Sequence, residues 1–523
     1  MARSFIQNLV GFSTKSDLAK LGNGFTQNMY VETTDATEHA VSRVLRPFPG
    51  YSSVASAEGA PRGLFRVSRG YDGLPKVYGV WGNTLYLFKD DNTLFAVGIV
   101  SVGTNKCQFA ETGGEGDAHP HLVVVDGQFC FAVDTTLSPT LQAADFRKLM
   151  LPVRAGDSTG SILVQPSHVA YAYGYLVIND YNTDALYFSY QYPFEQLNKS
   201  GTGIEYDIFR CTENSAFYIS KGGWVEYAEW QPDNTIAMVG NGSRIFTFGA
   251  RSYQIFAYNS SGNTPFTSPD TAANMVGIKN ADSLAVFGNR CVWLGAAEQG
   301  EGQVYSLTSD NVLERISTPE IERRIDKCDF RACRSFIFQY GHHVFYVLSF
   351  PADAVTIAYD FAEQGWVDLQ SLTPQGKAEA FRYENTAMDH NGNTVLQYNG
   401  GLVKVDSSKW SEHDGRHIVR KRAGGMVQVN HRPFFVDAVK LLTNNGEYGT
   451  LAGSDCRVML RYSVDGASYE DMETYSMGAV GQYGFDTEFY NLGLAKYLTI
   501  EVGCSEDVPF AIYGMTASVR ECK

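Results

Sequence analysis

The sequence lacks the features that mark secreted, membrane-spanning and disulfide-bonded proteins. No run among its 523 residues approaches the about 20 apolar residues that span a bilayer. The first residues, MARSFIQNLVGFSTKSD, hold no apolar segment of signal-peptide length. The nine cysteines are scattered with no pair at CxxC spacing, so we expect reduced, mostly buried thiols. These absences predict a protein that is made in the cytoplasm and is neither secreted nor inserted into a membrane.

Positive charge is also scarce. Charged residues make up 19% of the chain, and the formal net charge is −15. A protein that grips DNA by its phosphates presents clusters of Lys and Arg. The acidic balance therefore argues against a sequence-reading or DNA-packaging protein, and it is compatible with a wall past which DNA slides without adhering.

Motifs for catalysis and metal binding are missing as well. We find no phosphate loop, no Ser-His-Asp signature and no metal motif with strong spacing, so we predict no catalytic, cofactor-binding or metal-binding residue. His119 and His121 would share a metal if both lay on one strand, but no third ligand has clear spacing and an exposed loop is the preferred interpretation. Cys328 and Cys333 flank DFRA and are interpreted as structural thiols, the alternative being a redox pair.

Two further polar stretches have structural interpretations. YSVDGASYE (462–470) resembles the Ser-x-Asp-x-Gly-x-Thr-Trp box of sialidase-type propellers, but Asp465 runs directly into Gly466 and the box occurs once. A glycosidase also needs a positioned acid and nucleophile, and no paired-carboxylate motif marks them, so we expect a structural turn. His342 and His343 lie in the turn of a predicted hairpin and indicate a polar blade edge.

The chain is rich in glycine, tyrosine and phenylalanine, with 51, 31 and 32 residues respectively. This bias favours strands and turns over helices. One phrase recurs along the chain, in which two apolar, aromatic-rich runs flank a glycine turn. Its copies are VYGVWGNTLYLF (77–88), LVVVDGQFCFAV (122–133), VAYAYGYLVIND (169–180), TFGARSYQIFAY (247–258), LAVFGNRCVWLG (284–295), FQYGHHVFYVLSF (338–350) and VLQYNGGLVKVD (395–406).

Each phrase predicts a β-hairpin, because its glycine or asparagine tolerates the positive φ of a tight turn. The phrases recur at roughly the 40–50-residue length of a four-stranded propeller blade. We therefore predict an all-β fold with a β-propeller of six blades, in which the seventh hairpin and N-terminal strands together close the ring. A pair of β-sandwiches, which also contain many short strands, is the alternative.

Changes in composition and residue pattern along the sequence divide the chain into parts. We predict an N-terminal arm (1–60), the propeller (61–410) with an insertion near 193–235, a basic linker (411–430) and a C-terminal antiparallel β-sandwich (431–523).

One helix interrupts the predicted strands, in STPEIERRIDKC. Ser317 or Thr318 can cap it, and Pro319 suits its first position. Ile321 and Ile325 lie four apart on one face, so we expect that face to pack on a blade.

The predicted linker region carries one strongly positive cluster. Its members are Arg416, Arg420, Lys421, Arg422 and Arg432. Such a cluster can meet DNA phosphates or an acidic neighbouring subunit, and the alternative is a solvated linker. We name the five residues as possible DNA or subunit contacts.

The stretch LRPFPG (45–50) predicts rigid backbone at the entrance to the propeller. Pro47 and Pro49 each fix φ and remove a backbone donor. We expect Gly50 to permit the turn that follows, and Phe48 to plug the hydrophobic flank of the propeller.

Taken in order, several motifs resemble one protein family. NMYVE (28–32), LRPFPGYSSV (45–54), RGLFRV (62–67) and the first hairpin resemble the N-terminal region of the packaged-DNA stabilisation, or tail-hub nozzle, proteins of short-tailed double-stranded DNA phages. RIFTFGARSYQIFAYNSSGNTPF (244–266), STPEIERRID, IAYDFAEQGWV (357–367) and YSVDGASYE follow the same family order downstream. The likeness spans nearly the whole chain.

The resemblance implies a structural virion protein and not an enzyme. Family members assemble as a six-fold ring below the portal and adaptor rings, retain the packaged genome and form the tube through which DNA is ejected. For this chain, the implied partners are its own copies, the portal-adaptor ring, a tail needle or fibre, tailspikes, and double-stranded DNA that passes without sequence-specific binding. The implied location is the virion tail, after assembly in the host cytoplasm and without membrane insertion.

Two other functions stay open at this point. A phage tail-associated propeller that binds or cleaves host surface glycans would show repeated boxes or clustered acids and arginines. A generic propeller scaffold for host proteins would lack the phage-like N-terminal motifs.

Overall fold

The structure is a computed structural model that describes residues 3–7, 9–14, 24–34, 43–113, 119–149, 151, 153–155, 161–191, 224–260, 265–268, 273–297, 302–447, 455–466 and 468–522. Over these residues the chain is built mainly of antiparallel strands, which confirms the predicted all-β fold. The two α-helices of this part are short, α1 (Pro139–Asp145) and α2 (Pro319–Ile325).

The first half of the chain contains the N-terminal strands and four propeller blades. The N-terminal strands are β1 (Arg3–Gln7), β2 (Phe25–Gln27), β3 (Met29–Thr33), β4 (Arg43–Pro47) and β5 (Gly50–Ser56). The first blade holds β6 (Pro61–Val67), β7 (Lys76–Trp81), β8 (Thr84–Phe88) and β9 (Leu94–Ile99), and the second holds β10 (Gln108–Glu111), β11 (His121–Val125), β12 (Cys130–Asp134) and β13 (Arg147–Lys148). A small hairpin of β14 (Val153–Ala155) and β15 (Ser161–Leu163) follows. The third blade holds β16 (Val169–Ala172), β17 (Tyr175–Asn179), β18 (Ala185–Gln191) and β19 (Trp224–Tyr227). The fourth blade holds β20 (Thr235–Asn241), β21 (Arg244–Gly249), β22 (Tyr253–Tyr258) and β23 (Phe266–Thr267). Strand β24 (Ala273–Asn274) also pairs with β22.

The second half contains three more blades and a sandwich. The fifth blade holds β26 (Ala285–Phe287), β27 (Arg290–Ala297), β28 (Val304–Thr308) and β29 (Leu313–Arg315), with β25 (Val276–Ile278) paired to β27. The sixth holds β30 (Arg334–Tyr340), β31 (His343–Phe350), β32 (Val355–Asp360) and β33 (Gly365–Asp368), followed by a hairpin of β34 (Gln370–Leu372) and β35 (Ala378–Ala380). The seventh holds β36 (Asn385–Met388), β37 (Thr394–Tyr398) and β38 (Gly401–Asp406). The last strands are β39 (Arg420–Ala423), β40 (Phe434–Thr443), β41 (Asp455–Ser463), β42 (Glu473–Ala479), β43 (Thr487–Ala495), β44 (Thr499–Cys504) and β45 (Ile512–Glu521).

The propeller has seven blades in the described part of the chain, and the prediction of six is corrected. The seventh hairpin forms a blade of its own, whose fourth strand is β5 from the N-terminal region. This exchange closes the circle as expected, because β36 also contacts β6 of the first blade. Each of the seven phrases in the sequence therefore marks one blade.

The predicted hairpins and the predicted helix are confirmed. Gly82, Gly127 and Gly288 all have positive φ at the hairpin turns where they were expected. Helix α2 begins at Pro319 as predicted, and its buried Ile321 packs in the core between the fifth and sixth blades. Thr318 is the N-cap residue, but its side chain makes no capping hydrogen bond.

The C-terminal strands form the predicted antiparallel sandwich, and N-terminal strands join both of its sheets. One sheet has the order β3-β4-β45-β40-β43, with β1 paired to β45. The other has the order β2-β39-β44-β41-β42. Buried residues of the two sheets face each other, among them Val439 and Met515 on one side and Val458 and Ile500 on the other.

The second sheet of the sandwich is continuous with the sixth blade. Strand β2 pairs with β39 on one side and with β33 on the other, so nine strands share one sheet. The domain boundaries stay a prediction, to which the structure adds that strand β39 lies within residues 411–430. The insertion near 193–235 lies outside the described residues up to residue 223, and its described end contains β19.

The LRPFPG stretch joins the arm to the propeller. Phe48 is 2% exposed and packs against Phe338 and Phe345 of the sixth blade, which confirms its predicted place in the hydrophobic flank. The role predicted for Gly50 is corrected. Gly50 begins β5, and a Cβ atom there would collide with the backbone of Ser411, so glycine permits a close approach of two segments and not a turn.

Candidate functional site

The joint between propeller and sandwich is organised around Asn28. Its Nδ2 donates to the backbone carbonyls of Gln370 and Val419, both at 2.9 Å, and its Oδ1 accepts from the backbone N–H of Gln370. Asn28 has a φ of 53°, a conformation that asparagine tolerates better than most residues. One side chain thus fixes the N-terminal arm to the segments on either side of it.

A second motif residue, Arg62, joins the first two blades. Its side chain is 1% exposed, and its guanidinium donates to the carbonyls of Gly82, Ser101 and Asn105 at 2.7–3.0 Å. A Cβ atom on the next residue, Gly63, would lie 2.6 Å from the ring of Phe109 in the second blade. The Arg-Gly pair of the sequence resemblance therefore has an architectural role.

Two arginines of the positive cluster are buried at the same joint. Arg422 is 5% exposed, and its guanidinium donates to the carbonyls of Leu9 and Phe12 and to the Thr26 hydroxyl. Arg420 is 0% exposed and donates to the carbonyl of Trp410. Burial lowers the pKa of each arginine to about 10, so both stay charged at neutral pH. Within the folded chain these charges hold the arm and the sandwich together.

The other three members of the cluster are more accessible. Arg416 is partly exposed and paired with Asp414, Lys421 is partly exposed, and Arg432 is exposed. The structure does not gather the five side chains into one surface, because alternate residues of β39 point to opposite faces. Contact of the cluster with DNA or with a subunit stays a prediction, for which Lys421 and Arg432 have the accessible side chains.

A groove of about 680 Å³ opens beside the joint. We call it the joint groove, and it is lined by Tyr30, Thr34, Val44, Arg46, Pro47, Tyr340, Trp410, Asn444, Glu447, Pro509, Ala511 and Tyr513. Tyr30 belongs to NMYVE, and Arg46 and Pro47 belong to LRPFPG, so both motifs of the resemblance reach this surface. Its volume lies within the about 300–1,000 Å³ that is usual for binding sites.

The lining of the joint groove suits recognition. Burial raises the pKa of Tyr30, Tyr340 and Tyr513, so their phenols stay protonated and can donate hydrogen bonds at neutral pH. Arg46 is exposed and forms an ion pair with Glu32 at the rim. Aromatic rings with polar tips and a rim arginine are enriched at protein interfaces.

The remaining candidates from the sequence lie away from this groove. His119 is exposed with its Nδ1 3.2 Å from the Asp134 carboxylate, while His121 lies in β11. Asp465 accepts hydrogen bonds from the Ser463 hydroxyl and the Ser468 backbone N–H, as expected of a structural turn. The cysteines within the described ranges are free thiols.

His343 differs from its predicted place at a polar edge. It is 8% exposed, with Nδ1 2.7 Å from the carboxylate of Asp360 and its ring against Tyr30. His343 directly follows the turn and is the first residue of β31. Its position in the strand, and not in the turn, is why its side chain points inward.

Metal-binding and membrane-spanning features are both missing from the described residues. In this part of the chain, no group of three or more His, Cys, Asp and Glu side chains is placed to hold a metal ion. Neither α-helix of the described residues has the length and apolar character needed to cross a membrane.

Similar solved structures are remote. The BBS1N–ARL6DN complex soaked with mercury has a TM-score of 0.38 and 9% identity, covering 69% of this chain and 96% of that chain. A humanized mutant of the Chaetomium thermophilum Polycomb Repressive Complex 2 also has a TM-score of 0.38 and 9% identity, covering 73% of this chain and 98% of that chain. No curated protein matches the chain.

A family model described as bacteriophage P22 Gp10, beta-propeller, matches residues 220–395. The matched segment runs from the outer strand of the third blade into the seventh blade. The match supports a phage structural protein with a part in DNA stabilisation. The match over residues 220–395 confirms the resemblance of the sequence to the phage stabilisation family.

Proposed function

We propose that the chain is one subunit of a hexameric tail hub, or nozzle, of a short-tailed double-stranded DNA phage. The ring attaches below the portal-adaptor, retains the packaged DNA and forms the channel for its ejection. The family match over the propeller is the observation that carries this proposal. The protein acts as a structural part of the virion and catalyses no reaction.

The architecture supports such a role. A closed propeller protects its strand edges, and nine shared strands tie the sixth blade to the sandwich. A subunit of this kind packs beside its copies as a stiff block, which suits a closed ring. The net charge of −15 supports a conduit, because acidic walls repel phosphates and keep DNA from adhering.

The joint groove is our candidate for the contact with a neighbouring subunit or the adaptor. Arg46→Glu reverses the guanidinium charge that the described residues bring to the groove lining, and it is expected to impair ring assembly on adaptor-bearing particles. Arg66→Glu is the matched control, because Arg66 is an exposed arginine of the first blade outside the groove. If the Arg46 variant assembled rings as the wild type does, the joint groove would be excluded as the contact. The proposal that the chain is a tail-hub subunit would not be affected by that result.

Imaging of particles tests the hub directly. We expect cryo-electron microscopy to place six copies on the tail axis below the adaptor. Particles that lack the protein are expected to lose DNA after packaging, measured as nuclease-sensitive genome. A position away from the axis, a symmetry other than six, or full DNA retention without the protein would each reject the proposal.

A glycan-binding tail propeller is the second candidate. The aromatic rings of Tyr340, Trp410 and Tyr513 in the joint groove favour it, because an amphipathic ring can cover a sugar face and still hydrogen-bond. Glycan-array binding that Trp410→Ala abolishes would support this function, and cleavage of host surface glycans by the purified protein would make it an enzyme.

A further inference from the structure

The innermost strands of the seven blades surround a central cavity of about 280 Å³. Each blade contributes lining residues at or near the beginning of its innermost strand, among them Leu64, Phe109, Val239, Ile337 and Thr386. Such a volume lies just below the about 300–1,000 Å³ of sites for drug-sized molecules, so a small ligand fits it. The cavity is separate from the joint groove, since the two share no lining residue.

Lys106 and His168 bring polar hydrogens to this cavity. His168 is 5% exposed, and its Nε2 has no hydrogen-bond partner among the described residues. Lys106 donates one hydrogen bond, to the carbonyl of Ser335 at 3.1 Å, although an ammonium has three hydrogens to donate. Lys106 is partly exposed, whereas His168 is buried. Buried polar groups in native proteins are rarely left unpaired, so the unpaired Nε2 of His168 indicates a missing partner.

The hydrogen bonds around His168 decide which of its ring nitrogens carries the proton. The backbone N–H groups of Ser167 and His168 both donate to Oδ1 of Asn179, at 3.2 and 2.8 Å, and fill its two lone pairs. Nδ2 of Asn179 donates to the Ser167 hydroxyl at 2.8 Å. The Ser167 hydroxyl lies 2.9 Å from Nδ1 of His168 and 3.2 Å from Oδ1 of Asn179. Because Oδ1 already accepts two backbone N–H groups and Nδ1 is nearer, we assign the hydroxyl hydrogen to Nδ1 and the proton of the neutral ring to Nε2.

The charges around the cavity are consistent with a neutral histidine beside a cation. Burial, and then the Lys106 ammonium, lower the pKa of His168 to about 4, so the ring is neutral at pH 7. Burial also lowers the pKa of Lys106, while the Asp282 carboxylate acts in the opposite sense and favours its charged form. The nearby Arg334 is paired with Glu384. Among the other polar side chains of the lining, Ser335, Asn385 and Thr386 already donate to protein acceptors.

We propose that the central cavity binds a small oxyanion, a carboxylate or a phosphate, through Lys106 and the Nε2–H of His168. Both groups are donors, and one is cationic, so a ligand that only accepts hydrogen bonds and carries negative charge completes them. Asp282 lines the same cavity, and the anion must therefore bind on the side of Lys106 and His168 away from that carboxylate. This site is independent of the tail-hub proposal.

Titration calorimetry with the purified full-length chain tests the site, with inorganic phosphate and acetate as separate probes and chloride holding the ionic strength constant. We expect saturable binding of at least one probe, which also identifies the preferred anion. Lys106→Met is expected to weaken it about tenfold or more, because a charge-assisted bond is lost. His168→Gln is expected to weaken it severalfold. Lys404→Met, which changes an exposed lysine of the seventh blade, is the control and should bind as the wild type does.

A structure of the wild-type protein with arsenate keeps the test decisive if a variant fails to fold. The anomalous signal of arsenic is expected within the central cavity, at hydrogen-bond distance from both Lys106 and His168. Absence of saturable binding by either probe, unchanged binding by the folded Lys106 and His168 variants, or arsenate bound only elsewhere would each overturn the proposal.

Discussion

The backbone N–H of Phe48 donates a hydrogen bond to the carbonyl of Asn28 at 3.1 Å, and so joins the two motifs that open the chain. The side chain of Asn28 donates hydrogen bonds to the backbone carbonyls of Gln370 and Val419. The ring of Phe48 packs among aromatic rings of the sixth blade. The motifs are therefore two halves of one joint, and each can be tested by substitution.

Asn28→Ala is expected to lower the free energy of unfolding by about 2 kcal/mol, because it leaves partly buried backbone groups of residues 370 and 419 unpaired. Urea denaturation measures this loss. Asn28→Gly removes the same hydrogen bonds but accepts a φ of 53° without strain, so it should destabilise less than alanine. Equal stability of both variants and the wild type would show that Asn28 does not hold the joint.

Arg422→Met is expected to destabilise the chain by about 3 kcal/mol, because the carbonyls of Leu9 and Phe12 lose a buried charged donor. Its neighbour Lys421 is partly exposed, and Lys421→Met should change stability by less than about 0.5 kcal/mol. The free energy of unfolding of the two variants provides the comparison. A larger loss for Lys421 than for Arg422 would contradict the assignment of Arg422 to the joint.

Gly63→Ala is expected to destabilise by about 2 kcal/mol or more, because the new methyl group would lie 2.6 Å from Phe109 and 2.9 Å from the carbonyl of Cys107. Gly63 also has a φ of 153°. A methyl group on Gly425 would meet no atom of a non-adjacent residue within 4 Å, so Gly425→Ala is the control and should be nearly neutral. Thermal unfolding measures the melting temperatures of the two variants. Equal melting temperatures would contradict close packing of the first two blades at Gly63.

His343 is expected to make the stability of the folded chain depend on pH. Burial alone would lower its pKa, but the hydrogen bond and the charge of Asp360, with smaller contributions from Glu32 and Glu363, raise it above the usual value of about 6.5. A raised pKa in the folded state contributes stability that is complete below about pH 6.5 and is lost as the pH rises through the folded-state pKa.

The destabilisation caused by His343→Gln should therefore be larger at about pH 5.5 than at about pH 9. These two values lie on either side of the usual range of histidine pKa values. Unfolding free energies at both pH values measure it. His342→Gln is the matched control, since His342 is exposed in the same turn, and it should change stability by less than about 0.5 kcal/mol. A pH-independent His343 effect would show that the ring does not gain a proton on folding.

The sequence was sufficient for the local structure. Glycine turns identified the hairpins, although Gly249 in the fourth blade lacks the positive φ that the other turn glycines have. Pro319 with the isoleucines of α2 identified that helix. The blade count was missed because the recurring phrase does not always mark the same strands. It covers the first two strands of the third, fifth and sixth blades but the two middle strands of the other blades, which makes the spacing irregular.

The joint was beyond prediction because its partners are far apart in the chain. The contact between Asn28 and Val419 joins residues 391 positions apart, and no local pattern reports such a pairing. Arg420 and Arg422 were misleading for a related reason. In a strand, alternate residues share a face, and two arginines on the inner face of β39 look like part of an exposed basic run when only the sequence is read.

The strand exchange also sets the timing of folding during synthesis. Strand β5 finds its partner β38 only when residue 406 has been made, and β1, β3 and β4 complete their sheet only when β45 emerges from the ribosome. The propeller circle can therefore close before the sandwich does, because β38 precedes β45 by about 100 residues in the chain. A chain truncated before β45 lacks the strand that pairs with β1, β4 and β40.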